Sequence, residues 1–176
     1  MLDDPVIGRI RALGHDDVAD HRIAGGTQAP IGDEGDRQLV ALGDADVMVA
    51  GGTGFAPIKS MLQHLVHAGV RRPVHFYWGV RRPRDLYEGA LVAGWAAAHD
   101  WLRFVPVMSE ALPEDGWDGR RGWVHEAVLH DFPSLAAVDA YVAGPPPMIA
   151  VVQELFPAQG LPPGRLFFDS FEFAAR

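Results

Sequence analysis

Two short segments of the chain have the residue types that hold a phosphate through backbone amides. Residues 47–58, Val-Met-Val-Ala-Gly-Gly-Thr-Gly-Phe-Ala-Pro-Ile, end an apolar run in a glycine-rich turn and then begin a helix. Residues 141–148, Tyr-Val-Ala-Gly-Pro-Pro-Pro-Met, have the same strand, turn and helix order. Such a turn directs backbone N–H groups and the positive end of a helix dipole towards an anion. Two such turns at the carboxyl ends of strands in one sheet predict a nucleotide cleft.

The elements that must position these turns alternate regularly from Asp46 onward. Strands are predicted at residues 47–50, 74–80, 102–107, 137–142 and 165–168, and helices at residues 55–68, 86–99 and 124–130, with a fourth helix beginning at Pro147. Connections of helix length imply parallel strand pairing with right-handed crossovers. We therefore predict an α/β fold with a three-layer, five-stranded parallel sheet.

The helix periodicity also predicts which side chains are buried. The first helix presents Ile58, Met61, Leu62 and Leu65 at helical spacing, and Gly69 is its expected stop. The fourth helix is expected to bury Met148, Val151, Val152 and Leu155.

Composition excludes several classes of function. The chain has 176 residues and a net charge of −8, which disfavours nucleic-acid binding. It has no cysteine, so disulfides, cysteine-ligated clusters and thiol nucleophiles are excluded within this chain. His64, His67 and His75 lack the ligand spacing of a metal site. We expect a cytoplasmic protein, because no signal peptide and no apolar run of about 20 residues is present.

The first part of the chain differs from the rest. Residues 1–45 are rich in Asp, Gly and His, and we expect an irregular N-terminal segment there, followed by a domain at residues 46–176. Residues 24–31 echo residues 50–58, but the Gly and acidic residues at 32–36 cannot form a buried helix face. We interpret this first copy as a loop and not as a second phosphate site.

Several motifs in order resemble the nicotinamide-binding domain of the ferredoxin–NADP reductase superfamily. They are Ala-Gly-Gly-Thr-Gly-Phe-Ala-Pro-Ile at 50–58, Phe-Tyr-Trp-Gly-Val-Arg at 76–81 with Asp-Leu-Tyr at 85–87, Val-Met-Ser-Glu at 107–110, and Gly-Pro-Pro-Pro-Met at 144–148. The resemblance covers about residues 46–173 and is closest to NADH-dependent reductases that supply oxygenases and to the CDP-6-deoxyhexose reductases. It implies a Rossmann-like sheet of order 3-2-1-4-5, with the cofactor over the carboxyl ends of the strands.

The resemblance assigns expected roles to individual residues. Gly51, Gly52, Thr53 and Gly54 would form the pyrophosphate turn, with Pro57 in the following helical turn; Gly79, Val80 and Arg81 would border the ribose and pyrophosphate; and Gly144, Pro145, Pro146 and Met148 would line the other side. Thr53 would also lie near the nicotinamide, and Phe171, with Phe173 as second choice, would cover a flavin. Thr53 and Phe171 are therefore the candidate catalytic residues. Plain packing, turn or surface roles stay open for these positions.

Ser109 and Glu110 predict which cofactor is preferred. Relatives that use NADPH tend to place a basic residue here to meet the 2′-phosphate. Glu110 can instead accept hydrogen bonds from ribose hydroxyls and would repel a phosphate. We predict NADH over NADPH.

The leading hypothesis is the NADH-binding domain of a flavin-dependent oxidoreductase that passes electrons to an iron–sulfur or oxygenase partner. Residues 1–45 are too short for the family's flavin-binding barrel, so we expect FAD in a separate or missing domain or subunit. Ala143 stands where many relatives have a cysteine beside the nicotinamide. The alternative is a non-catalytic nucleotide- or partner-binding module that kept the fold. Whether the chain itself is an NADH-dependent flavin reductase stays open at this point.

Overall fold

The computed structural model describes residues 43–69 and 71–171. The predictions for residues 1–42, including the loop interpretation of residues 24–31, lie outside the described residues, as does Phe173.

Parallel strands form a single sheet through the middle of this part of the chain. The strands are β1 (Ala45–Gly51), β2 (Val74–Val80), β3 (Leu102–Met108), β4 (Arg120–Arg121), β5 (Val138–Gly144) and β6 (Leu166–Ser170). Their order across the sheet is β4-β3-β2-β1-β5-β6, and every pairing is parallel. The α/β parallel fold is confirmed. The sheet has six strands and not five, because β4, with two polar residues paired to Val107 and Met108, is too short to show a hydrophobic pattern. Without β4 the order is the predicted 3-2-1-4-5.

Within the described residues, four α-helices cover the two faces of the sheet. They are α1 (Phe55–Ala68), α2 (Gly89–Ala98), α3 (Val124–Asp131) and α4 (Pro146–Ala158). The bounds of α1 and of β2 are those predicted, and the predicted buried face of α1 is buried. Side chains of α3 and α4 pack with Val47, Val49 and Tyr77 on one face. On the opposite face Phe55 of α1 stacks on Trp78, with ring centroids 3.9 Å apart.

The buried face predicted for α4 is confirmed at Val152 and is otherwise wrong by part of a turn. The buried residues of α4 are Ile149, Val152 and Phe156, whereas Met148, Val151 and Leu155 are half-buried. Ile149, Val152 and Phe156 complete the core cluster over the sheet. This rotation of the helix leaves Met148 and Val151 facing the cleft described below.

An ion-pair cluster joins the amino ends of the two central strands. Arg72 donates to Oδ1 of Asp46 and to Oδ2 of Asp139, with a distance of 2.9 Å in each hydrogen bond, and both carboxylates are buried. Burial, only partly offset by Arg72, raises the pKa of Asp46 to about 6. The cluster fixes β1 against β5 at the amino ends of these strands, opposite the turns that follow β1 and β5.

Candidate nucleotide-binding site

A cleft of about 720 Å³ opens at the carboxyl ends of the central strands. Its lining residues come from the ends of β1, β2, β3 and β5, from the starts of α3 and α4, and from the segment after β6: Gly51, Gly52, Thr53, Gly79, Val80, Arg81, Ser109, Glu110, Gly122, Trp123, Val124, His125, Glu126, Pro145, Pro147, Met148, Val151 and Phe171. Ligands of open parallel sheets bind at this edge, where the connections leave in opposite directions.

The turn after β1 exposes backbone towards the cleft. Residues 52–54 form a short 3-10 turn that leads directly into α1. Gly52 has φ of 54°, and a Cβ added there would meet no atom within 4 Å. Its carbonyl accepts a hydrogen bond from Nε1 of Trp78 at 3.0 Å, which fixes the orientation of the turn.

The turns after β1 and β5 lie against each other. A Cβ added to Gly144 would lie 3.3 Å from Cα of Gly51. A Cβ added to Gly51 would lie 2.7 Å from Sδ of Met148 and 2.9 Å from Cδ of Pro145. Side chains at these two glycines would therefore fill the space between the turns. Their absence lets two backbone segments converge on one small volume.

The ends of β2 and β3 form the next part of the cleft. The amide of Ser109 donates to the carbonyl of Val80 at 3.0 Å, and the amide of Glu110 donates to the carbonyl of Arg81 at 2.8 Å. The Arg81 and Glu110 side chains, exposed to 78% and 59%, approach each other to 3.7 Å between Nε and Oε1. Arg81 is the only lysine or arginine among the described residues of the cleft wall, and Glu110 is beside it.

The chain just beyond Glu110 is held to the end of β2 by a two-bond ion pair. Arg82 donates from Nε and from a terminal nitrogen to the two carboxylate oxygens of Asp115, at 3.0 and 2.7 Å. Asp115 also accepts from the amide of Leu112 at 2.8 Å. These bonds lower the pKa of Asp115, with the Arg82 hydrogen bond as the largest cause. The loop between β3 and β4 is thereby fixed, and with it the position of Glu110.

The start of α3 forms a wall of the cleft that the sequence did not reveal. Trp123 is 60% exposed, and its ring lies nearly parallel to that of His125, with centroids 6.4 Å apart. Glu126 caps the helix by accepting from the amide of Trp123 at 3.2 Å. Burial lowers the pKa of His125. Glu126 therefore has a capping role, and both His125 and Glu126 also line the cleft.

A single close contact brings α3 to this position. A Cβ at Gly79 would lie 2.7 Å from Cβ of Val124, so the missing side chain lets the helix start approach β2. The available sequence signal was the Gly-Trp-Val-His-Glu run at 122–126, in which a glutamate follows the helix start at capping distance.

Most of the predicted site residues line the cleft, and four do not. Gly51, Gly52, Thr53, Gly79, Val80, Arg81, Ser109, Glu110, Pro145, Met148 and Phe171 are in its wall, whereas Gly54, Pro57, Gly144 and Pro146 are not. Gly54 is buried, and a Cβ there would overlap the carbonyl of Ala143. Gly54 and Gly144 thus permit close packing beneath the cleft. Phe171 is half-buried and donates its amide to the carbonyl of Gly144 at 3.3 Å.

The described residues also bear on metal binding and on membrane spanning. Within residues 43–69 and 71–171, His, Asp and Glu side chains form no group of three that could hold a metal ion. Across these same residues, none of the helices combines the length and the apolarity needed to cross a lipid bilayer.

Comparison with known proteins agrees with this geometry. The family described as oxidoreductase NAD-binding domain matches residues 48–154. A CDP-6-deoxy-L-threo-D-glycero-4-hexulose-3-dehydrase reductase of Yersinia pestis is 38% identical over 125 residues, which is 71% of this chain and 37% of the relative. An NAD(P)H-flavin reductase of Aliivibrio fischeri is 36% identical over 147 residues, which is 83% of this chain and 58% of the relative.

A solved structure is similar over most of the chain. The cytochrome P450 reductase GcoB of Amycolatopsis superposes with a TM-score of 0.69 and 30% sequence identity, covering 87% of this chain and 46% of that chain. The chain therefore spans between about a third and three-fifths of the length of these relatives.

Proposed function

The chain belongs to the oxidoreductase NAD-binding domain family, and we propose that its cleft binds NADH for hydride transfer to a flavin. In this proposal residues 46–176 are the NADH-binding domain, and residues 1–45 are an irregular segment before it. FAD is held by another domain or subunit, and the electrons continue to an iron–sulfur or oxygenase partner in the cytoplasm. The names of the relatives support this assignment: they are a dehydrase reductase, a flavin reductase and a cytochrome P450 reductase.

The observation that carries the proposal is the convergence of the turns after β1 and β5. The missing side chains at Gly51 and Gly144 let Met148, Pro145 and the two turns pack together, and beside them Gly52 leaves backbone open to the cleft, because a Cβ there would meet no atom within 4 Å. A diphosphate needs backbone N–H groups at close approach, and a side chain at Gly52 would occupy the space that it needs. The residues present therefore fit a dinucleotide.

The strand order supports one direction for the bound cofactor. In the sheet, β5 and β3 are separated by three strand spacings, which is a distance of about 14 Å. Phe171 follows β6 and bonds Gly144 at the end of β5, with Thr53 after the neighbouring strand β1, whereas Glu110 follows β3 and Trp123 comes next to Gly122, whose amide bonds Met108 at the end of β3. We place the nicotinamide at the β5 end and the adenosine at the β3 end, where the exposed indole offers a flat apolar surface for a base.

The charges at the adenosine end support NADH over NADPH. Glu110 and Glu126 both face this end of the cleft, and the positive charge of Arg81 is already paired with Glu110 at 3.7 Å. A 2′-phosphate would meet two carboxylates and no unpaired cation in the described cleft wall. Ribose hydroxyls can donate to the same carboxylates.

In the proposed reaction, the contribution of the chain is to bind and orient. When bound, the reduced nicotinamide supplies the hydride. Gly51 and Gly52 hold the diphosphate through the backbone, and Thr53 offers a hydroxyl at the nicotinamide end. Met148 and Val151 give that end an apolar wall, and Phe171 shields it from water. The titratable side chains of the described cleft lie at the other end, which agrees with a transfer that needs no acid or base.

Isothermal titration of the full chain with NADH, NADPH and FAD separately tests the proposal. We expect saturable binding of NADH, weaker binding of NADPH, and no saturable binding of FAD alone. Circular dichroism of the same sample establishes that the protein is folded. A folded chain that takes up no NADH at millimolar concentration contradicts the proposal, and stoichiometric FAD binding contradicts the part that places FAD elsewhere.

A further inference from the structure

One methionine of the described chain differs from the others in its exposure. Met48, Met61 and Met108 are buried, with at most 7% exposed, whereas Met148 is half-buried and lines the cleft. The chain has five methionines and no cysteine, so thioethers are its only sulfur groups. Because the oxidation of a thioether follows its exposure, a peroxide in solution reaches Met148 before the buried methionines.

The Met148 thioether lies where the two glycine turns meet. A Cβ at Gly51 would lie 2.7 Å from Sδ and 3.2 Å from Cε of Met148. The Cβ position of Gly144 is also blocked by the Met148 methyl group. The sulfur is therefore already in contact with the backbone on the side of the turns. Met148 also lines the cleft, so a reagent in the cleft reaches this side chain.

We propose that Met148 is an oxidation site through which peroxide closes the cleft to the dinucleotide, an inference that rests on the proposed NADH-binding function. Hydrogen peroxide transfers one oxygen atom to the sulfur lone pair. The O–O bond breaks, an S–O bond forms, the thioether becomes a sulfoxide, and the peroxide leaves as water. Atoms and electrons balance without another reactant, and a methionine sulfoxide reductase reverses the change at the expense of a thiol reductant.

The sulfoxide acts on binding in two ways. The turns at Gly51 and Pro145 leave no room for the new oxygen on their side of the sulfur, so the oxygen projects into the cleft. It also converts a flexible apolar side chain into a polar and stiffer one next to the apolar Val151. The first effect narrows the cleft, and the second makes its wall less apolar.

The test combines site mapping with binding. The full chain is treated with graded hydrogen peroxide, and digestion with mass spectrometry gives the order in which the methionines gain oxygen. NADH affinity is measured by titration calorimetry before treatment, after treatment and after repair by sulfoxide reductase. Circular dichroism shows that the fold is kept. We expect Met148 to be oxidised before Met48, Met61 and Met108, and NADH binding to weaken by about tenfold or more and to recover on repair.

Two variants locate the effect. In Met148→Leu, a swap of similar volume, the ratio of treated to untreated NADH affinity should be near one, whatever its starting affinity. In Met61→Leu, which alters a buried methionine of α1 outside the cleft, the ratio should equal that of the wild type. Earlier oxidation of a buried methionine overturns the proposal, as does unchanged NADH binding by the Met148 sulfoxide or equal sensitivity of Met148→Leu. If the untreated protein binds no NADH, the proposed function fails and closure of the cleft fails with it, while the mapping still decides whether Met148 is the selective target.

Discussion

Replacing Glu110 by glutamine is expected to let the cleft accept NADPH. The carboxylate lies at the carboxyl end of β3, in the wall of the cleft, 3.7 Å from the Arg81 guanidinium. The substitution keeps the side-chain length and removes one negative charge. It also releases Arg81 from its partner, so the nearest cation becomes available to a 2′-phosphate.

The size of the effect follows from charge, distance and exposure. Two unit charges about 4 Å apart interact by about 1 kcal/mol in water and by about 4 kcal/mol at the effective dielectric constant of a protein surface. Glu110 is more than half exposed, which places it near the lower value. A shift of about 1–2 kcal/mol in the difference between NADPH and NADH binding corresponds to roughly 5- to 30-fold.

Calorimetric titration of both cofactors against wild type and variant measures this ratio directly. Glu114→Gln is the matched control: Glu114 is on the same loop, has the same charge and is paired at 3.7 Å with Arg82, but is outside the cleft wall. The preference should shift in Glu110→Gln, shift less as salt is raised, and stay unchanged in Glu114→Gln. An unchanged ratio in Glu110→Gln, or an equal shift in the control, refutes the electrostatic explanation.

Four further substitutions test the scaffold through the free energy of unfolding. Gly54→Ala should lose about 1–3 kcal/mol because its Cβ meets the β5 backbone, whereas Gly94→Ala, with open space above α2, should gain about 0.5–1 kcal/mol in denaturant titrations. Because burial raises the pKa of Asp46 to about 6, the folded state binds this proton more tightly than the unfolded state does. The stability of the wild type should therefore fall relative to that of Asp46→Asn by up to about 3 kcal/mol as pH rises from 4 to 7. A difference in stability between the two proteins that stays constant with pH contradicts the pKa shift. Tyr77→Phe removes a 2.8 Å hydrogen bond to Asp131 and should cost about 1–2 kcal/mol in thermal and denaturant unfolding.

Local pattern was sufficient for the elements that are long and apolar. The run from Val74 to Val80 predicted β2 within its observed bounds, because a strand covered on both faces is apolar throughout. The spacing of apolar residues and the stop at Gly69 predicted α1 in the same way. The rotation of α4 was not predictable, because apolar residues occur on more than one side of that helix and tertiary contact decides which side is buried.

The site was predicted only as far as topology could place it. The strand ends in one parallel sheet must share an edge, so the turns at Gly51 and Pro145 were expected together. The wall at Trp123 depends on the close approach of Val124 to Gly79, a contact between distant parts of the chain that neither segment signals alone. A motif also cannot separate a glycine that faces a ligand from one that permits packing, since both positions require the absence of a Cβ.

Gly52 and Gly69 offer a way to separate these two uses of glycine. Both have left-handed backbone, with φ of 54° and 68°, and a Cβ at either position would meet no atom within 4 Å. Alanine should therefore cost similar folding free energy at each, about 1–2 kcal/mol, through backbone conformation alone. Gly69 ends α1 outside the cleft, whereas Gly52 lies in its wall.

The open space above Gly52 is the volume that we assign to the diphosphate, so the two variants should differ in binding although they match in stability. Urea unfolding should show equal losses for Gly52→Ala and Gly69→Ala, and calorimetry should show weaker NADH binding for Gly52→Ala only. If both variants bind NADH as the wild type does, the first turn does not approach the phosphates and the placement proposed for the diphosphate is wrong. If both variants weaken NADH binding equally, the weaker binding reflects the lower stability of the fold and carries no information about a contact between Gly52 and the ligand.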